Sequence, residues 1–236
     1  MKHSKRYQKL REKVDRLRHY PLAEAVKLVK ENANAKFDES VEVAVRLGID
    51  PKKQEQTVAG TVSLPHGTGK QVRVLAFVKG DKVDEAQAAG ADYVGFEDLV
   101  EKISTGWTDF DVAVATPDTM PAVGRLGKIL GPKGLMPSPK TQTVTFDIGA
   151  AIRALKAGRI NYRNDKTGNV HAVVGKVSFT HEQLIENIYA FIRELMKNKP
   201  ATAKGQFIRK VVISSTMGVG VRVDTKEFSE TAKREV

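Results

Sequence analysis

Apolar residues recur at Leu22, Ala25, Val26 and Val29, directly after Pro21. That spacing draws one stripe along a helix, and proline is a favoured first helical residue. The period then shortens to two. Val41, Val43, Val45 and Leu47 alternate with Glu42, Ala44 and Arg46, and Val58, Val62 and Leu64 alternate with Thr57, Thr61 and Ser63. Both segments read as half-buried strands, followed by a turn from Pro65 to Gly69. From Val72 to Val78 the apolar character is almost unbroken. An Ala-rich helix over 83–89 closes at Gly90, and a strand at Tyr93-Val94, a helix over 98–103, a strand over 112–115 and a helix from near Pro117 follow. Residues 131–143 hold three prolines and two glycines and read as a loop. The spacing predicts a helix over 148–157 that Gly158 ends.

After Gly158 the first style returns. Strands over 160–163 and 170–174 flank Asn164-Asp165-Lys166-Thr167-Gly168, which reads as a hairpin turn. Thr180 with Gln183 forms a capping box, and Leu184, Ile188, Phe191, Ile192 and Leu195 make the stripe of a long helix. Residues 199–205 read as a loop, 207–214 as a strand, and Val219, Val221 and Val223 as another strand. Buried-type strands alternating with helices in the middle of the chain predict a parallel sheet covered on both faces. The simplest organisation is an α/β middle inserted between two chain ends that fold together, with crossings near Gly67 and Gly158; two consecutive domains are the alternative. Residues 226–236 have little apolar content and are expected to trail as a disordered or frayed tail.

Composition narrows the function. The chain has 236 residues, of which 41% are hydrophobic, enough for a core. The longest apolar runs, Val74 to Val78 and Ile188 to Ile192, are five residues, against about 20 for a membrane span. Eight of the first twenty residues are Lys or Arg with no apolar stretch among them, so no secretory signal is expected. The absence of cysteine excludes disulfides, Cys-based zinc sites and Cys nucleophiles. The formal net charge is +11, and its distribution matters more than its size. Residues 67–157 contain eleven basic and eleven acidic side chains, so the whole excess lies in the two flanks. A concentrated cationic surface is the footprint of a nucleic-acid partner, because Lys and Arg displace the counterions of a polyanion; a merely solvated basic face is the competing reading.

Several enzyme signatures nearly form. Gly67-Thr68-Gly69-Lys70 lacks both the upstream glycine and the following hydroxyl of a phosphate loop, since Leu64 and Gln71 occupy those positions. Gly218-Val219-Gly220 lacks the third glycine of a dinucleotide fingerprint. His181-Glu182 begins like a zinc-protease helix, but Ile185 stands where its second histidine belongs. The five histidines share no ligand spacing, and Asp109 and Asp111 read as strand-end or turn residues. Neither a catalytic constellation nor a cofactor or metal site is expected. A nucleotide-binding enzyme built on the middle segment is the competing class.

The remaining candidates are binding groups. Phe37, next to Lys36 at a helix–strand junction, is either a core anchor or a platform for a nucleotide whose phosphate meets the ammonium. Ser214 to Gly218 offers hydroxyls and amides to 2′-OH and phosphate groups, with Met217 as an apolar contact; an ordinary strand-end turn is the alternative. Arg163 to Gly168 is a cationic tip, for RNA or for turn formation alone.

Beside these readings stand Lys36-Phe37-Asp38-Glu39, Leu47-Gly48-Ile49-Asp50-Pro51, Ser63-Leu64-Pro65-His66-Gly67 and Gly90-Ala91-Asp92. With them go Ala115-Thr116-Pro117, Gly131-Pro132-Lys133-Gly134-Leu135-Met136-Pro137, Arg163 to Gly168 and Thr216-Met217-Gly218. From about residue 3 to 224 the chain resembles the bacterial large-subunit ribosomal protein L-one (stalk protein) family. The resemblance implies a discontinuous α+β domain I, residues 1–66 plus 158–225, and a Rossmann-like three-layer α/β domain II, residues 67–157, inserted in it. It implies a cytoplasmic protein of the large ribosomal subunit, monomeric when free. Its implied partners are the rRNA stalk, deacylated tRNA leaving the exit site, and an element of its own mRNA leader through which it represses translation. Lys36, Phe37, Thr216, Met217 and Gly218 match the family's core RNA-binding residues. Lys5, Arg6, Arg163, Asp165, Lys166 and His171 are implied further contacts, and Gly127, Lys128, Gly131 and Lys133 a secondary contact from domain II. A free-standing RNA-binding regulator is the alternative that sequence alone leaves open.

Overall fold

Each element forms where the local pattern and the end groups agree. In this computed structural model, which describes residues 4–228, the order is α1 (Lys5–Glu12), α2 (Leu22–Asn32), β1 (Ser40–Leu47), β2 (Ala59–Ser63), β3 (Val74–Phe77), α3 (Lys82–Ala88), β4 (Tyr93–Gly95), α4 (Glu97–Ser104) and β5 (Val112–Ala115). It continues with α5 (Met120–Arg125), α6 (Gly127–Leu130), α7 (Ile148–Lys156), β6 (Arg159–Arg163), β7 (Asn169–Lys176), α8 (His181–Lys197), β8 (Ile208–Ser215) and β9 (Val221–Val223). The fold class is mixed α/β. The Thr180/Gln183 capping box is fully formed, and Leu184, Ile188, Phe191, Ile192 and Leu195 of α8 are all buried. At about 1.5–3 kcal/mol for each large side chain taken from water, this stripe is a main source of cohesion.

Contacts divide the chain into two compact units: residues 1–69 with 160–236, the terminal unit, and residues 70–159, the inserted unit. The terminal unit is built on an antiparallel sheet in the order β7-β1-β8-β9. Val41, Val43, Val45 and Leu47 of β1 turn inward, onto the core they share with α2 and α8. Their neighbours on the opposite face stay in water, among them Glu42, Arg46 and His171. The inserted unit has a parallel sheet in the order β4-β3-β5. Leu75 and Phe77 pack with Leu99, Ile103, Val123 and Leu130 on one side of it. Val74, Ala76 and Val78 pack with Ala86, Ile148, Ile152 and Leu155 on the other. Both faces of β3 are therefore dry, which is why its sequence is nearly all apolar.

Three local expectations need correction. The 164–168 turn closes its two arms by a single antiparallel bridge, Asn164 to Val170, and not by a ladder: β6 pairs with β2 in a separate two-stranded sheet, and β7 pairs with β1. Asn164 is also bound to Val58, through Asn164 N to Val58 O and Val58 N to Asn164 Oδ1, so the first arm is drawn away. The helix from Pro117 is a 3-10 turn over Pro117–Thr119 followed by α5 and α6. The tail begins later than expected. Residues 226–228 are helical, Phe228 is buried against Tyr189, and Glu227 accepts a bond from the Leu22 amide at the start of α2. That amide lacks a side-chain cap of its own because Pro21 occupies the N-cap. Residues 229–236 lie outside the described ones.

The unit boundaries also fall slightly later than 66/67 and 157/158. The buried Asn187 of α8 accepts from His66 N at 3.1 Å and donates to Gly67 O at 2.9 Å and Val174 O at 2.7 Å, sewing residues 66–67 into the terminal unit. Arg159 donates to Thr141 O and Gln142 Oε1 within the inserted unit. Helix α1 was not legible as a helix, because only Leu10 among its residues is buried.

Replacing Phe228 by Ala should lower the unfolding free energy by about 3 kcal/mol, the usual cost of emptying a buried aromatic site. A urea melt reads this directly, and an unchanged midpoint would mean that the segment after Asp224 does not dock.

Candidate nucleic-acid interface

Two loops meet at one end of the antiparallel sheet. The first, residues 33–39, links α2 to β1 and presents Lys36 and a 56% exposed Phe37. The second, Thr216-Met217-Gly218, links β8 to β9 and presents Met217, 47% exposed. Large apolar side chains left in water on neighbouring loops are the unusual feature here.

Buried Glu39 holds the two loops together. Its Oε1 accepts from the Ala35 amide at 3.0 Å and its Oε2 from the Met217 amide at 2.9 Å. Burial pushes its carboxyl upward, but the Met217 amide, the Ser215 hydroxyl, the Ala35 amide and nearby Arg6 together outweigh that and hold it below the ordinary carboxylate value. Arg6 of α1 adds a second tie, donating to Met217 O at 2.9 Å and Asn34 Oδ1 at 2.6 Å. Thr216 pairs with Ser40, its Oγ1 accepting from Ser40 N at 3.0 Å and its N donating to Ser40 O at 3.0 Å. Gly218 is fixed by space, since a Cβ there would lie 2.4 Å from Ser215 Oγ. Lys5 is exposed at the start of α1, whose N-cap is Ser4.

The structure thus gathers Arg6, Lys36, Phe37, Thr216, Met217 and Gly218 at one sheet end, with Lys5 one residue before Arg6. His171 lies elsewhere, on the open face of β7 opposite Ala44, with its Nε2 3.7 Å from Asp165 Oδ2. Arg163, Asp165 and Lys166 sit at the far end of the sheet, where Gly168 O accepts from Leu47 N. Asp165 is occupied in building its turn. Its carboxylate accepts from Asn169 N and Thr167 N, both at 2.8 Å, and from the Thr167 hydroxyl. These bonds, the Asn169 amide first, hold its carboxyl far below the ordinary value. Gly127, Lys128, Gly131 and Lys133 belong to the inserted unit, where Gly127 and Lys128 are in α6.

Strand register adds residues that the sequence reading did not single out. Across the open face, His171, Ala44, Val212 and Arg222 form one row, Val173, Glu42 and Ser214 a second, and Asn169, Arg46 and Lys210 a third. The period-two pattern of β1 already put Glu42 and Arg46 on the polar face, but only pairing sets them beside Lys210 and Ser214. Glu39 was missed as an organiser because an acidic residue beside Asp38 carries no sign of burial. Among the described residues no group of histidines and carboxylates could hold a metal ion. Asp109 and Asp111 are engaged by Arg73, and Asp111 also by Lys70 at 2.6 Å, which is ion pairing and not acid–base poise.

Glu39→Gln replaces one accepting oxygen by an NH2 that opposes a backbone amide, and should cost about 2 kcal/mol of stability. Because the native carboxyl titrates below its unfolded value, its contribution is complete at neutral pH and fades as pH falls through the lowered native value. Urea melts from about pH 7 to about pH 3 should show that acid limb in the parent and a shallower one in Glu39→Gln. Superimposable limbs would remove Glu39 from this role.

Comparison with known proteins places the chain in a family. A family model described as the ribosomal protein L1p/L10e family matches residues 29–219, a span that includes both loops of the interface but not Lys5 or Arg6. The chain is 61% identical over 224 residues to large ribosomal subunit protein uL1 of Thermus thermophilus, covering 94% of this chain and 98% of that protein. It is 55% identical over 229 residues to the protein of the same name from Kosmotoga olearia, covering 97% and 99%. With that from Thermobifida fusca it shares 54% identity over 233 residues, 99% of each chain. With the family model covering most of its length and near full-length relatives at this identity, the chain belongs to the ribosomal protein L1p/L10e family.

Proposed function

We propose that the terminal unit holds the mobile rRNA stalk of the large subunit. Family membership makes the chain a structural ribosomal protein and not an enzyme. The observation that carries the RNA reading is the joining of Lys36-Phe37 and Thr216-Met217-Gly218, about 180 positions apart in the chain, into one exposed surface. That surface belongs to the unit that carries the charge: 27 basic against 17 acidic residues, compared with 12 against 11 in the inserted unit.

Each group has a role suited to folded RNA. Lys5, Arg6, Lys36 and the cations of the open sheet face attract phosphates and give salt dependence. Phe37 offers a stacking or ribose-packing surface, and Met217 a soft apolar contact. The backbone amides and hydroxyls of residues 214–218 suit 2′-OH groups, which distinguish RNA from DNA. The held geometry of the two loops supplies shape, so less ordering is needed when RNA arrives. His171, Arg163 and Lys166 continue the surface along the sheet, with Asp165 shaping the turn that presents Lys166. Gly127, Lys128, Gly131 and Lys133 provide a secondary contact from the inserted unit.

On the ribosome, in the cytoplasm, the protein would move with the stalk and assist release of deacylated tRNA from the exit site. The same surface would repress its own translation by binding a stalk-like element in its mRNA leader. The free protein is a monomer in this reading.

Sedimentation of cell extract through sucrose should place the chain with large subunits at low salt, and a peak only among free proteins would favour a free-standing regulator. A variant in which a short linker replaces residues 70–159 should fold and still bind stalk RNA; a folded variant without binding would contradict the assignment. Met217→Asp should weaken stalk binding by about 2 kcal/mol or more, through repulsion and burial of an unpaired charge. It is a cleaner probe than Thr216→Val, which also orphans the Ser40 amide. An unchanged titration would take Met217 out of the interface.

A further inference from the structure

The sheet that carries the Met217 loop has a second end, and it too is cationic. Three loops converge there. Leu47 N donates to Gly168 O at 2.9 Å, Gly48 N donates to Phe207 O at 2.6 Å, and Gln56 Nε2 donates to Thr202 O at 3.3 Å. The approach at Gly48 is so close that a Cβ would lie 2.2 Å from Gln206 O, so glycine is needed for these loops to meet. The convergence sets the exposed Lys52 and Lys53 of one loop, Lys166 of the second, and Lys204 and Arg209 flanking the third on a shared end of the unit. None of these five forms an ion pair among the described residues. The carboxylates present are few: Asp50 accepts from the Lys52 amide, Asp165 is consumed in its own turn, and Glu55 is exposed.

Eight residues of β1 separate this end from Met217, about 25 Å at the rise of a strand. The interval is bridged by the open face of the sheet, with Arg46, Lys210, Arg222 and His171 on it. Glu42 is the carboxylate in these rows, so the face that joins the two ends carries more cationic than anionic side chains.

We propose that Lys52, Lys53, Lys166, Lys204 and Arg209 form a second phosphate-binding surface that grips the backbone of the same RNA about 25 Å from the Phe37–Met217 contact. The inference rests on the RNA-binding reading above and extends it. The two ends divide the work. Phe37 and Met217, on loops locked by Glu39, provide shape-dependent contact. The far end has no large exposed apolar side chain among its described residues and offers only charge, so it adds affinity without reading bases. An RNA that reaches both ends gains from a second contact made at high effective concentration, whereas a short RNA meets only the first.

The test uses the full chain and two transcripts: the complete rRNA stalk, and a shortened stalk hairpin that retains only the segment bound at the Met217 end, as mapped by nuclease protection. Three versions are compared: the parent, Lys52→Gln/Lys53→Gln/Lys204→Gln, and a control with equal charge loss elsewhere, Lys27→Gln/Lys82→Gln/Lys102→Gln. Thermal melts verify that all three fold alike. The parent should bind the complete stalk more tightly and with a steeper salt dependence than the hairpin. The Lys52 triple variant should lose about tenfold or more on the complete stalk, with the log–log salt slope falling by about 2–3, and stay within about twofold of the parent on the hairpin. Arg at the same three positions should restore binding. A triple variant that matches the parent on both RNAs overturns the proposal. So does an equal loss on both, or an equal loss in the control, because each would reduce the effect to overall charge. Parent binding to neither RNA would instead bring down the RNA-binding reading itself. Undisturbed RNA binding together with loss of an acidic protein partner from the isolated large subunit would assign the surface to that protein and overturn the RNA proposal.

Discussion

A buried carboxylate holding two backbone amides is the constraint on which the interface depends. Glu39 lies under the surface, 1% exposed, and bonds the Ala35 amide with one oxygen and the Met217 amide with the other. With Arg6 as a second tie, it keeps Phe37 and Met217 from sitting on independently moving loops, so a partner has less to order on binding. Burying an ionised group is costly unless it is well bonded, and here the two amides, the Ser215 hydroxyl and the nearby Arg6 guanidinium offset the burial. The arrangement puts the negative charge inside, where it organises the loops, and leaves Lys36 outside, where a phosphate can meet it.

The antiparallel sheet gives this local device its setting. One face closes on α2 and α8, and the other stays open to solvent with its side chains in cross-strand rows. Such a sheet can support the core and present an extended polar surface at once, which the inserted unit cannot do because its parallel sheet is covered on both sides. The division of charge between the two units matches this division of geometry. Cations are useful on the unit with an open, rigid face, and the inserted unit, nearly neutral, is free of that requirement.

The C-terminal segment shows how tertiary context can reverse a reading of composition. Residues after Asp224 look like a polar tail, yet Phe228 reaches the core beside Tyr189 and Glu227 completes the start of α2. A single aromatic among charged residues has no periodicity to announce it; its burial depends on a site prepared by distant elements. The 164–168 turn joins its arms by one bridge and no ladder for a similar reason. Its Asp165-centred hydrogen bonds are local and were legible as turn chemistry, but the partner of each flanking strand lies far along the chain.

What the sequence by itself determined was everything carried by short-range spacing: the helix stripes of α2 and α8, the capping box, the alternation of β1, the dry strand β3, and the uneven placement of charge. The motifs also indicated the family. Phe37 and Met217 could be named as candidates, but whether they were buried or exposed was undecided, since an aromatic at a loop edge serves either purpose. Only the tertiary structure decided that they share one surface, that Glu39 is the buried tie beneath it, and that Arg163 and Lys166 lie at the other end of the sheet. The physical reason is that pairing register and loop closure join residues about 180 positions apart through backbone amides, which are the same in every sequence and leave no mark on residue type.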